Sequence, residues 1–90
     1  MEAKLYKTDG SVIDVEPKNG SDFSIEELQG FVGGYIEVVD LRDGRFLVCN
    51  ENGKLIGLYA NVEATALLKQ VNKYDYIVGD ALVCTYEQIK

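Results

Sequence analysis

The sequence contains no histidine and only two cysteines. Histidine is the usual base in Ser–His and Cys–His catalytic pairs, and zinc sites are built mainly from histidine and cysteine. The sequence therefore predicts neither kind of nucleophile, and we expect no metal site and no cofactor. Cys49 and Cys84 each lie in an apolar, strand-like run, so we expect both thiols to be reduced and buried.

Basic residues are also scarce: 9 lysines and arginines stand against 15 aspartates and glutamates, which gives a net charge of −6. Binding to nucleic-acid phosphates requires clustered lysine and arginine, so we expect no nucleic-acid partner. The opening MEAKLYKTDG lacks the apolar core of a secretory signal, and no run approaches the length of a membrane span. These absences predict a cytoplasmic protein that does not bind membranes, and the length predicts a single domain over residues 1–90.

The segment from Tyr35 to Ala60 organises the rest of the predicted fold. Its Asp43-Gly44 and Asn52-Gly53 pairs favour two-residue hairpin turns, in which both central residues take positive φ. Short runs of β-branched and aromatic residues flank each turn, so the segment is predicted to be a three-stranded meander. With two-residue turns, Glu37 lies opposite Asn50 on one face of the first hairpin.

Sequence signals on both sides of the meander predict one further hairpin, two helices and a last strand. The first hairpin is expected around Asp9-Gly10. Ser24 opens a Ser-x-x-Glu capping box for the first helix, which ends at Gly33-Gly34. Asn61 has the chemistry of an N-cap for the second helix. Gly79-Asp80 is consistent with a hairpin turn or with a kink in one long strand over residues 76–86, and we favour the kinked strand. The predicted fold class is α+β: a mostly antiparallel sheet of five to six strands with two helices packed on it.

The predicted meander carries one polar spot on an apolar face. Glu37 and Asn50 form its centre, and Tyr35, Tyr59 and Asn61 are expected near the same end of the sheet. A carboxylate and an amide among apolar groups are suited to orienting a polar ligand, so we predict these five residues as a binding site without a catalytic residue. The alternative is a structural pair, in which Glu37 and Asn50 satisfy each other or nearby loop amides.

Several short blocks occur in a fixed order and spacing: GGYIE at 33–37, NENGKL at 50–55, Leu58 with Asn61 and Ala64, and IVGD at 77–80. Together they resemble a family of small proteins known only as a domain of unknown function, from about Leu5 to Val83. Such proteins occur in bacteria, phages and conjugative elements, sometimes near antirestriction genes or fused into larger polypeptides. The resemblance implies the setting of a phage or mobile element and no particular activity. The chain departs from it at Tyr59-Ala60, where a proline is expected before the asparagine.

Three functions are consistent with these features. We expect a non-enzymatic binding or interaction module that acts on a protein partner or through self-association. The resemblance implies that such a module is an accessory protein of a phage or mobile element. The first alternative is a protein that binds or sequesters a small, nucleotide-like ligand at Glu37, Asn50 and Asn61. The second is a small enzyme that uses Glu37 as an acid or base.

Overall fold

The computed structural model describes residues 3–89, which form an antiparallel sheet and two α-helices. The strands are β1 (Ala3–Tyr6), β2 (Val12–Val15), β3 (Ile36–Asp40), β4 (Arg45–Asn50) and β5 (Ala81–Thr85), and the helices are α1 (Ile25–Val32) and α2 (Val62–Leu68). The strand order in this five-stranded sheet is β2-β1-β5-β4-β3, and all neighbouring strands are antiparallel. The predicted α+β class, with its mostly antiparallel sheet and two helices, is confirmed.

The two helices cover opposite faces of the sheet, and each face has its own apolar core. The core under α1 contains Ala3, Leu5, Phe23, Leu28, Val32, Val48, Leu82 and Cys84. The core under α2 contains Leu41, Leu47, Cys49, Ala64, Leu68, Ile77, Ala81 and Val83. Strand β5 supplies buried side chains to both cores because successive residues of a strand point to opposite faces. Both faces of the sheet are thus covered by the chain itself.

The predicted helix ends are confirmed by their capping bonds. The Ser24 hydroxyl accepts from the Glu27 N–H (3.1 Å), and the Glu27 carboxylate accepts from the Ser24 N–H (2.9 Å). Gly33 ends α1 in the left-handed conformation with a φ of 80°. At α2, the Asn61 side chain accepts from the Ala64 N–H as an N-cap.

The turn between β3 and β4 is one residue longer than predicted. The Leu41 N–H donates to the Arg45 carbonyl (3.0 Å), which leaves three residues, 42–44, in the loop. Positive φ values occur at Arg42 (62°) and Gly44 (92°). Three-residue loops of this kind are the next commonest hairpin connection after the two-residue turns.

This longer turn changes the pairing of β3 with β4. Glu37 pairs with Cys49, and Asn50 pairs with Ile36. The predicted placement of Glu37 opposite Asn50 is therefore wrong, and the two side chains belong to opposite faces of the sheet. Glu37 lies on the α2 face and Asn50 on the α1 face.

The predicted third strand of the meander is also wrong, because residues 51–57 form consecutive turns. The Asn52 N–H donates to the Asn50 side chain (2.8 Å), and the Ile56 N–H donates to the Asn52 carbonyl (3.0 Å). Gly53 lacks the positive φ that a two-residue hairpin turn requires. The sheet position next to β4 is instead occupied by β5, the last strand in the sequence.

Asp43 fastens the β3–β4 turn to the segment that follows α2. Its carboxylate binds the Arg45 guanidinium (2.6 Å) and accepts from the Gln70 side-chain amide (3.0 Å). The same amide also donates to the Leu41 carbonyl (3.1 Å). The hydrogen bond from Arg45 is the main reason why the pKa of Asp43 is lowered to about 2.

The lowered pKa of Asp43 makes a testable contribution to acid stability. A carboxyl group whose pKa is lower in the folded chain stabilises that chain above the unfolded value, here 3.8. The contribution is lost as the pH falls from there towards about 2. We therefore expect the unfolding free energy of Asp43→Asn to fall less steeply than that of the wild type across this window. Urea unfolding over the window measures both slopes, and equal slopes would contradict the assignment.

Cys49 and Cys84 are free and buried, as predicted. They belong to the cores on opposite faces of the sheet. Burial is the main cause that raises the pKa of each thiol to about 11, so little reactive thiolate forms at neutral pH. We expect a thiol reagent to label the native protein far more slowly than the urea-unfolded protein. Rapid labelling of either thiol in the native state would show that the core opens readily.

Candidate functional site

Asn61 is fully buried, and its side chain makes three hydrogen bonds to main-chain groups. Its amide nitrogen donates to the carbonyls of Tyr6 and Gly79 (both 2.9 Å), and its oxygen accepts from the Ala64 N–H (3.1 Å). These bonds join β1, the bend before β5 and the start of α2. The buried amide therefore holds the fold together at this point and has no exposed surface to offer a ligand.

Asn50 is also buried and bonded to the main chain. Its amide nitrogen donates to the Val32 carbonyl at the end of α1 (3.1 Å), and its oxygen accepts from the Asn52 N–H (2.8 Å). Gly34 passes so close that a Cβ there would lie 3.0 Å from the same amide nitrogen. Asn50 thus ties the end of α1 to the end of β4.

Glu37 lies at the rim of a small cleft beside β3, apart from Asn61, and Asn50 also belongs to the lining of this cleft. Cys49 and Ile77 are buried residues of its lining, and Lys54 and Tyr76 lie at the more exposed part of it. The cleft has a volume of about 100 Å³. Pockets that enclose small organic ligands usually measure about 300–1,000 Å³, so this cleft is too small for a nucleotide.

The charged groups of this cleft, which we call the β3 cleft, are mainly acidic. Its lining includes the carboxylates of Glu37, Glu51 and Asp75 and the ammonium group of Lys54. Lys54 is bound to Asp75, and its ammonium nitrogen lies 4.2 Å from the centre of the Tyr76 ring. The hydrogen bond between Lys54 and Asp75 raises the pKa of Lys54 and lowers the pKa of Asp75, so both groups stay charged.

Tyr59 and Tyr35 are both exposed and belong to other parts of the surface. Tyr59 borders an open groove of about 340 Å³ that is shared with Phe31, Leu58 and Asp80. The Asp80 carboxylate is already bound there, because it accepts from the Thr8 N–H (3.0 Å) and forms an ion pair with Lys7. Tyr35 lies immediately before β3, and its carbonyl accepts from the Glu51 N–H (2.9 Å). The structure therefore brings Glu37 and Asn50 to one cleft, and it leaves Tyr35, Tyr59 and Asn61 outside that cleft.

Four strongly exposed apolar side chains lie in the segment of residues 55–62. Leu55 is 87% exposed, Ile56 62%, Tyr59 83% and Val62 76%. Scattered apolar residues are normal on protein surfaces, but here four strongly exposed ones fall within one stretch of eight residues. We call it the 55–62 segment. The exposure of these side chains was not predicted, because Leu55 to Tyr59 were assigned to a strand. The residues LIGLYA at 55–60 lack the apolar–polar alternation of a half-buried strand.

The main chain of the 55–62 segment is held firmly in place. The Leu58 N–H donates to the Gly53 carbonyl (3.0 Å), and the Asn61 N–H donates to the Ile77 carbonyl (2.9 Å). The Tyr59 carbonyl accepts from the Gly79 N–H (2.7 Å). The apolar side chains are therefore displayed on a structured segment that connects the β3 cleft, bordered by Leu55, with the groove bordered by Tyr59.

Close packing explains why glycines flank this segment. A Cβ on Gly79, which has a φ of 77°, would lie 2.7 Å from a methyl carbon of Leu58. A Cβ on Gly53 would lie 2.7 Å from a methyl carbon of Val78. The inward-facing Leu58 therefore packs where only glycine leaves room.

The described residues offer neither a metal site nor a membrane-spanning helix. Residues 3–89 contain no group of three or more acidic or cysteine side chains arranged to hold a metal ion. None of the helices within that range is long and apolar enough to cross a membrane.

Comparisons with known proteins give one match. No curated protein and no solved structure is significantly similar to the chain. Residues 6–89 match the DUF3846 family, which is described as a domain of unknown function. Because this match covers nearly all of the sequence, the protein belongs to the DUF3846 family.

Proposed function

We propose that this protein is a single-domain, non-enzymatic interaction module that binds another protein through the 55–62 segment. The observation that carries the proposal is the exposure of Leu55, Ile56, Tyr59 and Val62, at 62–87%, on a main chain fixed by hydrogen bonds. Protein interfaces are enriched in aromatic residues at their centres, where a few large side chains supply most of the binding energy.

The exposed side chains of this segment contribute little to the stability of the fold. Both sheet faces are already covered by α1 and α2, and the segment contributes the half-buried Leu58 and the buried Asn61 to the packed interior. Burying Leu55 and Tyr59 against a partner would remove apolar surface from water at about 25 cal/mol per Å². The fixed main chain would limit the entropy lost on binding.

The partner that we favour is a different protein and not a second copy. Each chain carries a net charge of −6, which disfavours close approach of two copies. We extend the proposal to a cytoplasmic accessory protein of a phage or mobile element; the resemblance noted in the sequence supports the phage or mobile-element setting.

The small-ligand and enzyme alternatives have less support. The β3 cleft is small, the groove beside Tyr59 is open, and the amides of Asn50 and Asn61 are bonded to the main chain. Glu37 is solvent-exposed on an edge strand. An acid or base in catalysis usually works in an enclosed site that excludes water.

Site-specific photo-crosslinking tests the proposal. A photoreactive phenylalanine replaces Tyr59, and in a matched control it replaces Ile13, which is 45% exposed on β2 at the opposite edge of the sheet. In lysate of the native host, we expect one adduct of defined mass from position 59 and none from position 13. Excess unlabelled wild type should compete this adduct away, whereas the variant Leu55→Ser/Ile56→Ser/Tyr59→Ser should not.

Three results would overturn the proposal: no adduct at position 59, equal adducts at both positions, or equal competition by wild type and the triple variant. An adduct with the mass of two chains would identify self-association and contradict a different partner. The triple variant should unfold like the wild type, because its changed side chains are exposed; surface substitutions usually shift stability by less than about 0.5 kcal/mol each.

A further inference from the structure

Strand β3 forms one outer edge of the sheet, because within residues 3–89 its only neighbouring strand is β4. The bonds from Glu51 to Tyr35 and from Leu41 to Arg45 mark residue pairs whose main chains are bonded directly across the hairpin. In an antiparallel pair, such residues alternate with residues whose main-chain groups point away from the partner strand. The N–H and C=O groups of Ile36, Val38 and Asp40 therefore face outward.

This outer edge is open to a further strand. Within residues 3–89, no hydrogen bond links the main chain of Ile36, Val38 or Asp40 to an element on that side. Proteins usually protect an edge with charged side chains, most often lysine, or with a proline or a bulge. The sequence IEVVD has neither lysine nor proline and its register with β4 is continuous, so its charged groups are the carboxylates of Glu37 and Asp40, which a basic strand can pair with.

The side chains along the edge indicate what chemistry an added strand needs. On the α2 face, Glu37 stands at the rim of the acidic β3 cleft, where the one lysine is already bound to Asp75. On the α1 face, Val38 is 42% exposed. An added strand alternates its side chains in the same way, so it would place one set beside Glu37 and the other beside Val38.

We propose that β3 accepts an extended segment of a partner protein as a sixth strand of the sheet, with basic side chains towards Glu37 and apolar side chains beside Val38. Main-chain hydrogen bonds supply the affinity of such strand addition, and the alternating side chains supply the specificity. A second copy of this chain is a poorer occupant, because it would bring another Glu37 and Asp40 to an acidic edge. The inference rests on the proposed function only in taking a protein as the partner, since it uses a different surface.

A synthetic peptide provides the probe: N-acetyl-Thr-Lys-Val-Lys-Val-Thr-amide, with a control in which both lysines are replaced by glutamate. Titration followed by amide NMR should show binding of the lysine peptide, with the largest shifts in β3 and slower hydrogen exchange at Val38 and Asp40. The glutamate peptide should bind at least about tenfold more weakly. A lysine peptide methylated on the amides that face β3 should not bind.

Two variants separate the backbone and charge contributions. Val38→Pro removes an outward N–H and leaves the bonds to β4 in place, so it should fold and lose the peptide. Glu37→Lys changes an exposed side chain and should reverse the preference in favour of the glutamate peptide. Failure of the lysine peptide to bind, shifts confined to β2, or unchanged binding to both variants would overturn the inference.

The peptide experiment and the crosslinking experiment fail independently. The peptide reads out β3, whereas the crosslink at position 59 reads out the 55–62 segment. Peptide binding without a crosslink would leave the edge-strand inference standing and remove the proposed function of the 55–62 segment. A crosslink without peptide binding would support the proposed function of the 55–62 segment and remove the edge-strand inference.

Discussion

Replacing Asn61 by alanine is expected to lower the free energy of unfolding by about 3–5 kcal/mol, because several buried main-chain groups lose their partners at once. The carbonyls of Tyr6 and Gly79 lose a donor, and the Ala64 N–H loses its cap. An isolated N-cap substitution costs about 0.5–2 kcal/mol, so the two orphaned carbonyls account for the remainder. Urea unfolding followed by circular dichroism measures the change.

Two further variants identify the cause of this loss. Asn61→Asp keeps an oxygen to cap α2 but removes both donors and places a carboxylate among carbonyl oxygens, so it should also be strongly destabilised. Asn72→Ala is the matched control: Asn72 is exposed, and its side-chain oxygen accepts from the Tyr74 N–H (3.1 Å). Its stability should change by less than about 0.5 kcal/mol. A loss below about 1 kcal/mol for Asn61→Ala would contradict the role assigned to the buried amide.

Replacing Asn50 by alanine is expected to cost about 2 kcal/mol, because the Val32 carbonyl and the Asn52 N–H lose their buried partner. The effect should not depend on Glu37, which lies on the opposite face of the sheet. We therefore expect the change caused by Asn50→Ala to be the same in the wild type and in Glu37→Gln. This prediction separates the observed register from the two-residue-turn register, in which the pair would be in contact.

A double-mutant cycle in urea measures the coupling between these two positions. Contacting polar residues usually show interaction energies of about 0.5–3 kcal/mol, whereas independent sites add within about 0.3–0.5 kcal/mol. An interaction energy within the latter range supports the observed register. A clearly larger value would place Glu37 and Asn50 in contact and contradict it.

The sequence predicted those parts of the fold that depend on local chemistry. Ser24 with Glu27, Gly33 and Asn61 mark helix ends through hydrogen bonds to residues close in sequence, and the structure contains all of them. The amino-terminal hairpin likewise follows from its turn residues. Alternating apolar residues and these end signals were sufficient to predict the α+β class.

The errors came from one turn and one long-range pairing. The β3–β4 loop has three residues because Arg42 takes a positive φ, for which an arginine gives no sequence signal. With this longer loop, Glu37 and Asn50 lie on opposite faces of the sheet instead of opposite each other on one face. The insertion of β5 between the two hairpins depends on residues far apart in sequence, so local patterns could not show that it would displace a third meander strand.

Of the five residues predicted from the sequence as a binding site, Tyr59 lies in the 55–62 segment that we propose as an interaction surface. Its exposed neighbours Leu55, Ile56 and Val62 were not among those five. Their exposure follows from the turns after β4 and from the anchoring of Leu58 and Asn61, which only the three-dimensional structure reveals.

Hydroxyl-radical footprinting of the intact protein tests most directly whether the 55–62 segment is occupied in its native setting. Oxidation of Leu55, Ile56 and Tyr59 is compared between the purified protein and native-host lysate, with Val12 and Ile13 on β2 as internal references. The proposed function predicts that the ratio of segment to reference oxidation falls at least about fivefold in lysate, as expected when a partner covers the segment. An unchanged ratio would contradict it.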